Sequence, residues 1–135
     1  MYSTHQKGEV ALLRTALRAI EKGFRPSRPL IEGRYDLVVD DGAKLHRVQV
    51  KYGAHRASTA NAVEVDLRKQ CYHHGPVKRY RACEVDAVVV YVPSREKFYW
   101  LPPALFDGRA CVTLRFATAL NRQRSRTTPA ENFEW

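Results

Sequence analysis

The stretch Tyr35-Asp36-Leu37-Val38-Val39-Asp40-Asp41-Gly42 is followed, after Ala43, by Lys44-Leu45-His46-Arg47-Val48-Gln49-Val50-Lys51. Asp41-Gly42 is a strong turn signal between two segments of alternating pattern, so we predict a β-hairpin. On the second strand Val48 and Val50 face one way, and Gln49 and Lys51 face the other. The hairpin therefore brings an acid, Asp36, to the same region as Gln49 and Lys51.

The register of this hairpin depends on which two residues form its turn. If Gly42-Ala43 form the turn, Asp36 lies directly opposite Gln49. If Asp41-Gly42 form it, Gln49 is a diagonal neighbour of Asp36. In either case the two side chains share one face within roughly 5 to 8 Å, and Lys51 follows about 7 Å farther along that face.

These residue types suit the hydrolysis of a phosphodiester bond. A divalent cation can be held between the Asp36 carboxylate, the Gln49 side-chain oxygen and the Val50 carbonyl, because hard oxygen ligands suit Mg²⁺. Such an ion polarises the phosphate and activates water, and Lys51 can orient that water or stabilise the developing charge. The same residues also occur on ordinary solvated sheet faces, so spacing alone leaves both readings open.

A helix is predicted from a cap at Ser3 or Thr4 to about residue 22. Its apolar residues fall on one stripe at helical spacing: Val10, Leu13, Leu17 and Ile20. We expect this stripe to be buried. Glu9 lies at its edge and points toward the core, so it can reach the metal from the helix. If the helix packs near the face of Asp36 and Gln49, that face is not simply solvent-exposed.

The remaining pattern predicts a single α+β (mixed α/β) domain. Further strands are expected at residues 63–67, 86–92, 97–101 and 111–116, with a helical turn at 102–106, while 68–81 is ambiguous between helix and loop. This order favours one sheet with the N-terminal helix packed on it. We assign the domain to residues 1–120 and treat 121–135 as a basic tail that packs on the domain or contacts DNA.

Composition points to an anionic partner in a reducing compartment. The 135 residues include 23 Lys and Arg against 14 Asp and Glu, a formal net charge of +9, which suits nucleic acid or an anionic membrane. The longest apolar run, residues 87–92, is far shorter than the roughly 20 residues of a spanning helix, so we expect no membrane partner. The polar N-terminus lacks a signal-peptide pattern, and three irregularly spaced cysteines form no disulfide framework, which predicts a cytoplasmic protein.

Several of these segments together resemble the PD-(D/E)XK nuclease superfamily, and within it the branch that includes group I intron homing endonucleases. Lys7-Gly8-Glu9 resembles that branch's N-terminal glutamate, and the segment 34–39 resembles its acid-bearing strand. Arg47-Val48-Gln49-Val50-Lys51 resembles its (D/E)-x-K strand with Gln at the acid position. Residues 84–93 and 98–102 resemble its paired C-terminal strands, and 121–123 with 130–133 resemble its tail.

The resemblance implies a single restriction-endonuclease-like domain with a central mixed sheet, acting as a Mg²⁺-dependent DNA endonuclease for which Mn²⁺ can substitute. It implies a catalytic set of Glu9, Asp36, Gln49 and Lys51, with metal held by Asp36, Gln49, Val50 and Glu9. It also implies a homo-oligomer, dimer or tetramer, acting on double-stranded or branched DNA. The alternatives are a Holliday-junction resolvase of the same fold and a non-catalytic nucleic-acid-binding module, which the neutral Gln49 favours.

Basic residues supply candidate contacts to the DNA backbone. They are Arg34, Lys44, Arg47, Arg56, Arg68, Lys69, Arg122, Arg124 and Arg126. A zinc site is a weaker candidate, because its possible ligands lack the usual spacing of zinc-binding pairs. Those ligands are Cys71, His73, His74 and Cys83.

Overall fold

A computed structural model of the chain describes residues 1–54, 61–70, 76–116 and 127–135, with only the backbone at Lys69 and Gln70. Helix α1 spans Thr4–Glu21. Its first turn is closed by a capping box, in which the Ser3 side chain accepts from the Gln6 N–H while the Gln6 side chain accepts from the Ser3 N–H. Two orphan donors of the helix start are thereby satisfied, and Ser3 is the cap of the two candidates that the sequence offered.

The described strands form three sheets. The strands are β1 Arg25–Ser27, β2 Leu37–Asp40, β3 Leu45–Tyr52, β4 Ala62–Asp66, β5 Arg68–Gln70, β6 Val77–Arg79, β7 Ala87–Val92, β8 Lys97–Leu101, β9 Cys111–Arg115 and β10 Thr128–Pro129. The main sheet has the order β1-β2-β3-β7-β8, and only its β3–β7 pair is parallel. A second sheet has the order β10-β9-β4, and β5 pairs with β6. Helix α2, Pro103–Phe106, follows β8.

Two hydrophobic cores cover the two faces of the main sheet. On one face Ala11, Leu12 and Ala19 of α1 pack against residues that include Val48 and Val50. On the other face, the β4 and β9 residues of the second sheet pack against alternate residues of β7 and β8. Strand β7 is buried along its whole length because it contributes to both cores. This arrangement confirms the α+β class and the central mixed sheet with an N-terminal helix on it.

The expected burial of the apolar stripe on α1 is wrong for three of its four residues, while Val10 is half-buried against the core. Leu13, Leu17 and Ile20 are 62%, 48% and 58% exposed. The buried face instead carries Ala11, Leu12, Thr15 and Ala19. The small side chains at positions 11 and 19 let the helix backbone approach the β-branched residues of the sheet, so close fit rather than total hydrophobicity selects the packed face.

Other differences concern segments without a strong period. The ambiguous residues 68–81 contain the short hairpin β5–β6, with 71–75 outside the described part. The proline-rich segment after α1 supplies the edge strand β1. After residues 117–126, which lie outside the described part, β10 pairs in parallel with β9. The ring centroids of Trp135 and Trp100 lie 5.2 Å apart. The domain boundary at residue 120 stays a prediction.

Among the described residues, no helix combines the length and the apolar character that crossing a bilayer would require.

Gly53 fills a position, directly after β3, where a side chain has little room. A Cβ there would lie 3.0 Å from Val90 Cγ1 and 3.1 Å from both Val63 Cγ1 and Val92 Cγ2. We expect Gly53→Ala to lower the free energy of unfolding, measured in urea, by about 1–3 kcal/mol because the core is overpacked. Gly8→Ala is the control, since open space surrounds Gly8 inside α1 and helix propensity should raise stability by about 0.5–1 kcal/mol. Equal stability of Gly53→Ala and wild type would contradict this packing argument.

Candidate active site

The hairpin β2–β3 has the register in which Gly42-Ala43 form the turn. Leu37 pairs with Val48 and Asp40 pairs with Leu45. The Asp41 carboxylate accepts the N–H groups of Ala43 and Lys44 at 2.8 and 2.7 Å, and Gly42 has φ +89°. This turn is the first of the two alternatives left open by the sequence. The pairing ends at Leu37, so Asp36 lies directly before β2.

Asp36 is fixed at the start of β2 by its backbone and its side chain. Its N–H donates to the Val48 carbonyl at 2.9 Å. Its carboxylate Oδ2 accepts the Val50 N–H at 3.2 Å. The half-buried carboxylate is therefore held against β3, beside Gln49 and Val50.

Gln49 is a buried polar residue of the main sheet whose side chain does not use its full hydrogen-bonding capacity. It is only 4% exposed, and its Oε1 has no hydrogen-bond partner among the described residues. Its Nε2 donates to the Val50 carbonyl at a long 3.4 Å. A buried acceptor without a partner costs about 1–3 kcal/mol, so this oxygen is suited to receive a ligand.

Lys51 points to the same side of β3 as Gln49. Its Nζ lies 5.0 Å from the centroid of the buried Tyr80 ring and 3.4 Å from the Arg68 carbonyl. The face of the aromatic ring and the carbonyl oxygen are both attractive partners for the ammonium group. The side chain is half-buried, so its charge acts in a partly water-excluded cleft.

Glu9 reaches this region from α1. A cleft of about 720 Å³ is lined by Glu9, Asp36, Gln49, Val50 and Lys51 together. The helix itself packs on the opposite face of the sheet, through the side of Val48 and Val50. Strand alternation puts the side chains of Asp36 and Gln49 on the other side of the sheet, so α1 does not pack directly on them. The first half of α1 nevertheless lines the same cleft, and Glu9 reaches it from there.

Arg28 is a cleft residue that the sequence analysis missed. Its Nη2 and Nη1 donate to the two Glu9 carboxylate oxygens at 2.8 and 3.2 Å. The hydrogen bond and charge of Glu9 raise the pKa of Arg28, and the charge of Asp36 adds to this effect. The pairing joins residues 19 positions apart, so local spacing gave no signal for it. The buried Tyr80, which lies under both Lys51 and Arg34, was missed for the same reason.

Three of the predicted DNA-contacting arginines are engaged within the protein. Arg34 donates to the Glu84 carboxylate at 3.1 Å and to the Arg79 carbonyl at 2.7 Å. Arg47 pairs with Asp86, and Arg68 pairs with Asp66 at 2.9 Å. Their contacts with DNA stay predictions.

The other candidates for DNA contact divide into two groups. Lys44 is exposed on the hairpin turn. Arg56, Arg122, Arg124, Arg126 and the side chain of Lys69 lie outside the described part of the chain.

The described residues contain no cluster of zinc ligands of the kind that the sequence suggested. Cys71, His73 and His74 lie outside the described residues, and Cys83 is an exposed free thiol. Within the described part of the chain, no group of three or more His, Cys, Asp or Glu side chains is placed to hold a metal ion. The cleft differs from such groups because one of its candidate ligands is an amide oxygen, Gln49 Oε1.

The Arg47–Asp86 pair makes stability depend on pH. Hydrogen bonds from the Arg47 side chain and N–H, with its positive charge, hold the pKa of Asp86 at about 2, below the ordinary value of 3.8. A carboxyl whose pKa is lower in the folded state stabilises the fold above pH 3.8, and this contribution is lost as the pH falls toward 2.

We expect Asp86→Asn to lower the free energy of unfolding at pH 7 by about 1–2 kcal/mol. The loss should shrink toward pH 2, where wild type itself becomes protonated. Asp66→Asn is the control, since its pair with Arg68 is solvent-exposed and should change stability by less than about 1 kcal/mol. Urea unfolding at pH 7 and pH 3 measures both; a loss of the same size at each pH would contradict the assignment.

Comparisons with known proteins give the family of this chain. A family model described as PD-(D/E)XK endonuclease matches residues 2–135. A solved structure of a bacterial homing endonuclease, I-Ssp6803I, is similar over 98% of this chain and 89% of that one, with 29% sequence identity and a TM-score of 0.76. No curated protein sequence matches significantly. The chain belongs to the PD-(D/E)XK endonuclease family of nucleases.

Proposed function

We propose that this nuclease is a Mg²⁺-dependent DNA endonuclease of the homing-endonuclease type. The observation that carries the proposal is the buried Gln49 Oε1, which has no hydrogen-bond partner among the described residues, in a cleft that Asp36 also lines. Family membership gives the nuclease class. The likeness to a bacterial homing endonuclease supports the narrower type and DNA as the substrate.

The donors of the cleft fit a hard divalent cation. Asp36 and Glu9 offer carboxylates, Gln49 offers an amide oxygen, and Val50 offers a backbone carbonyl. Oxygen donors of this kind are the ligands that Mg²⁺ prefers, with Mn²⁺ as a substitute. When bound, Mg²⁺ would polarise a phosphate oxygen and lower the pKa of its water.

The protein's own residues have separate roles in this proposal. Asp36, Gln49, Val50 and Glu9 would hold the ion, and the ammonium of Lys51 would orient the attacking water or stabilise charge on the phosphate. Arg28 holds the Glu9 carboxylate at the α1 side of the cleft and adds positive charge there. In-line attack by water would leave a 5′-phosphate.

Double-strand cleavage would need more than one copy of this chain, since one cleft can cut one strand. We therefore propose a homo-oligomer, dimer or tetramer. The net charge of +9 suits double-stranded or branched DNA as the partner. Lys44 and the basic residues outside the described part are candidate backbone contacts, together with Arg34, Arg47 and Arg68 once their internal acceptors are exchanged for phosphate.

A nicking assay tests the proposed function. Supercoiled plasmid, a genomic library and a four-way junction are incubated with the protein in Mg²⁺, in Mn²⁺ and in EDTA. The expected result is cleavage with either metal, none in EDTA, and 5′-phosphate ends. Binding without cleavage under every condition would overturn the enzyme proposal in favour of a non-catalytic binding module. Cleavage confined to the four-way junction would favour a resolvase.

A further inference from the structure

Helix α1 carries exposed apolar side chains outside its buried face, and we call them the seam. Leu13, Leu17 and Ile20 follow one another at spacings of four and three residues, the repeat by which two helices pack along a narrow seam. Val10, three residues before Leu13, is half-buried against the core. Leu13, Leu17 and Ile20 are 62%, 48% and 58% exposed. Large aliphatic side chains grouped in this way mark a contact surface more often than isolated ones do.

The charges around this seam are balanced, unlike the chain as a whole. A groove of about 400 Å³ runs beside the seam at Leu17 and is lined by Tyr91, Phe98 and Trp135 as well. Its charged lining residues are three cations and three acids: Arg14, Arg18, Lys97, Glu21, Glu96 and Glu134. The chain as a whole has a net charge of +9, and a surface that binds DNA is expected to show such an excess of positive charge. A protein partner with its own mixed charges therefore suits this groove better.

We propose that the seam of Leu13, Leu17 and Ile20 is the interface with a second copy of this chain, packed antiparallel about a two-fold axis. A two-fold interface uses the same patch on both copies, so the patch must be complementary to itself. With Leu17 packed against Ile20 of the partner subunit, Arg14 lies beside Glu21 of the partner subunit. Arg14 and Glu21 occupy equivalent positions flanking the seam, and opposite charges there select an antiparallel pairing.

The seam leaves the active cleft open. The α1 residues that line the cleft belong to the segment from Thr4 to Leu12, and Leu13, Leu17 and Ile20 are not among them. A second copy on the seam can therefore bind while DNA occupies both clefts. The requirement for two clefts depends on the proposed double-strand cleavage. The interface is inferred from the exposed face of α1 and does not depend on that activity.

Analytical ultracentrifugation at micromolar concentration tests the interface. We expect wild type to sediment as a dimer or larger, and Leu17→Glu to have at most half of the wild-type mass. Leu45→Glu is the matched control, because Leu45 is also 62% exposed but lies on the β2–β3 hairpin; it should keep the wild-type mass. A monomeric wild type, or an unchanged mass for Leu17→Glu, would overturn the proposal.

A charge exchange tests the pairing itself. Glu21→Arg should weaken self-association, because it places two arginines together, and the double variant Arg14→Glu with Glu21→Arg should restore it. Failure of the double variant to recover association would overturn the antiparallel pairing. Circular dichroism melting checks that each variant is folded, which is expected since the substituted side chains are exposed.

The products formed on plasmid separate this inference from the proposed function. If both hold, monomeric Leu17→Glu should still nick plasmid but form at least about tenfold less linear product. If wild type does not cut at all, the proposed function fails while the mass measurements still decide the interface. Undiminished linear product from a monomeric Leu17→Glu would show that double-strand cleavage does not require this interface, which contradicts its role in joining two clefts.

Discussion

The Asp36→Asn variant is expected to nick DNA about 10²- to 10⁴-fold more slowly than wild type while remaining folded. The substitution removes the negative charge proposed to hold the metal ion. It keeps one side-chain oxygen, which can still accept the Val50 N–H that Asp36 accepts at 3.2 Å. The loss of activity should therefore arise from the site and not from a weakened hairpin.

Asp40→Asn provides a matched control at the other end of the same strand. Asp40 accepts the Gly42 N–H in the turn and is not among the residues that line the cleft. Single-turnover nicking rates in Mg²⁺, together with DNA binding in EDTA, separate catalysis from binding. Equal nicking rates for Asp36→Asn and wild type would exclude Asp36 from the proposed metal site.

Lys51→Met should slow nicking over a similar range, because it removes the ammonium and retains most of the stem. Unlike Asp36→Asn, it should leave the Mg²⁺ concentration for half-maximal activity nearly unchanged, since Lys51 is not proposed as a metal ligand. A large shift in that concentration would contradict the separate roles of the two residues.

The Gln49→Met variant is expected to gain stability and lose activity. Removing a buried acceptor that has no described partner should raise the free energy of unfolding without metal by about 1 kcal/mol, since methionine has a similar volume and shape. Removing a proposed ligand should slow nicking by about 10²-fold or more. Opposite signs in the two measurements would distinguish a functional amide from a structural one.

The Gln49→Glu variant should bind metal more tightly, because it adds a negative charge to the ligand set. We expect the Mg²⁺ concentration for half-maximal activity to fall by about tenfold. In EDTA the repulsion from Asp36 raises the pKa of the introduced glutamate. A raised pKa for an acid lowers stability above that pKa, and stability is regained as the pH falls below it.

Two measurements check the Gln49 variants. Magnesium titrations of nicking give the metal dependence, and urea unfolding in EDTA at pH 5 and pH 7 gives the stability. Wild-type activity in Gln49→Met would exclude the amide as a ligand. In EDTA, the free energy of unfolding of Gln49→Glu relative to wild type should be higher at pH 5 than at pH 7. If it is not, position 49 does not face Asp36.

The β2–β3 hairpin was predictable from the sequence except for the choice of its turn. Alternation along β3 predicted that Gln49 and Lys51 share a side, because strand geometry fixes the direction of successive side chains. The choice between two turns was open to the sequence. It was decided by the Asp41 carboxylate, which accepts the Ala43 and Lys44 N–H groups, and by pairing along the whole length of β2.

Helix α1 shows where sequence reasoning failed. Its period was correct, but the buried face was not, since Leu13 and Leu17 are exposed and Ala11 and Ala19 are buried. Periodicity measures which residues share a face, whereas the packed face depends on the shape of the surface that the helix meets. That surface is built from strands distant in sequence, so α1 alone cannot reveal it.

The sequence by itself determined the periodic elements, the excess of positive charge and the presence of Asp36, Gln49 and Lys51 on one hairpin, because each depends on near neighbours. Only the tertiary structure decided that Glu9 pairs with Arg28 in that cleft, that Gln49 is buried and that α1 leaves its apolar seam uncovered. Burial and long-range pairing depend on which surfaces meet when the chain is compact. A local sequence pattern restricts which surfaces can pack together but does not determine which of them do.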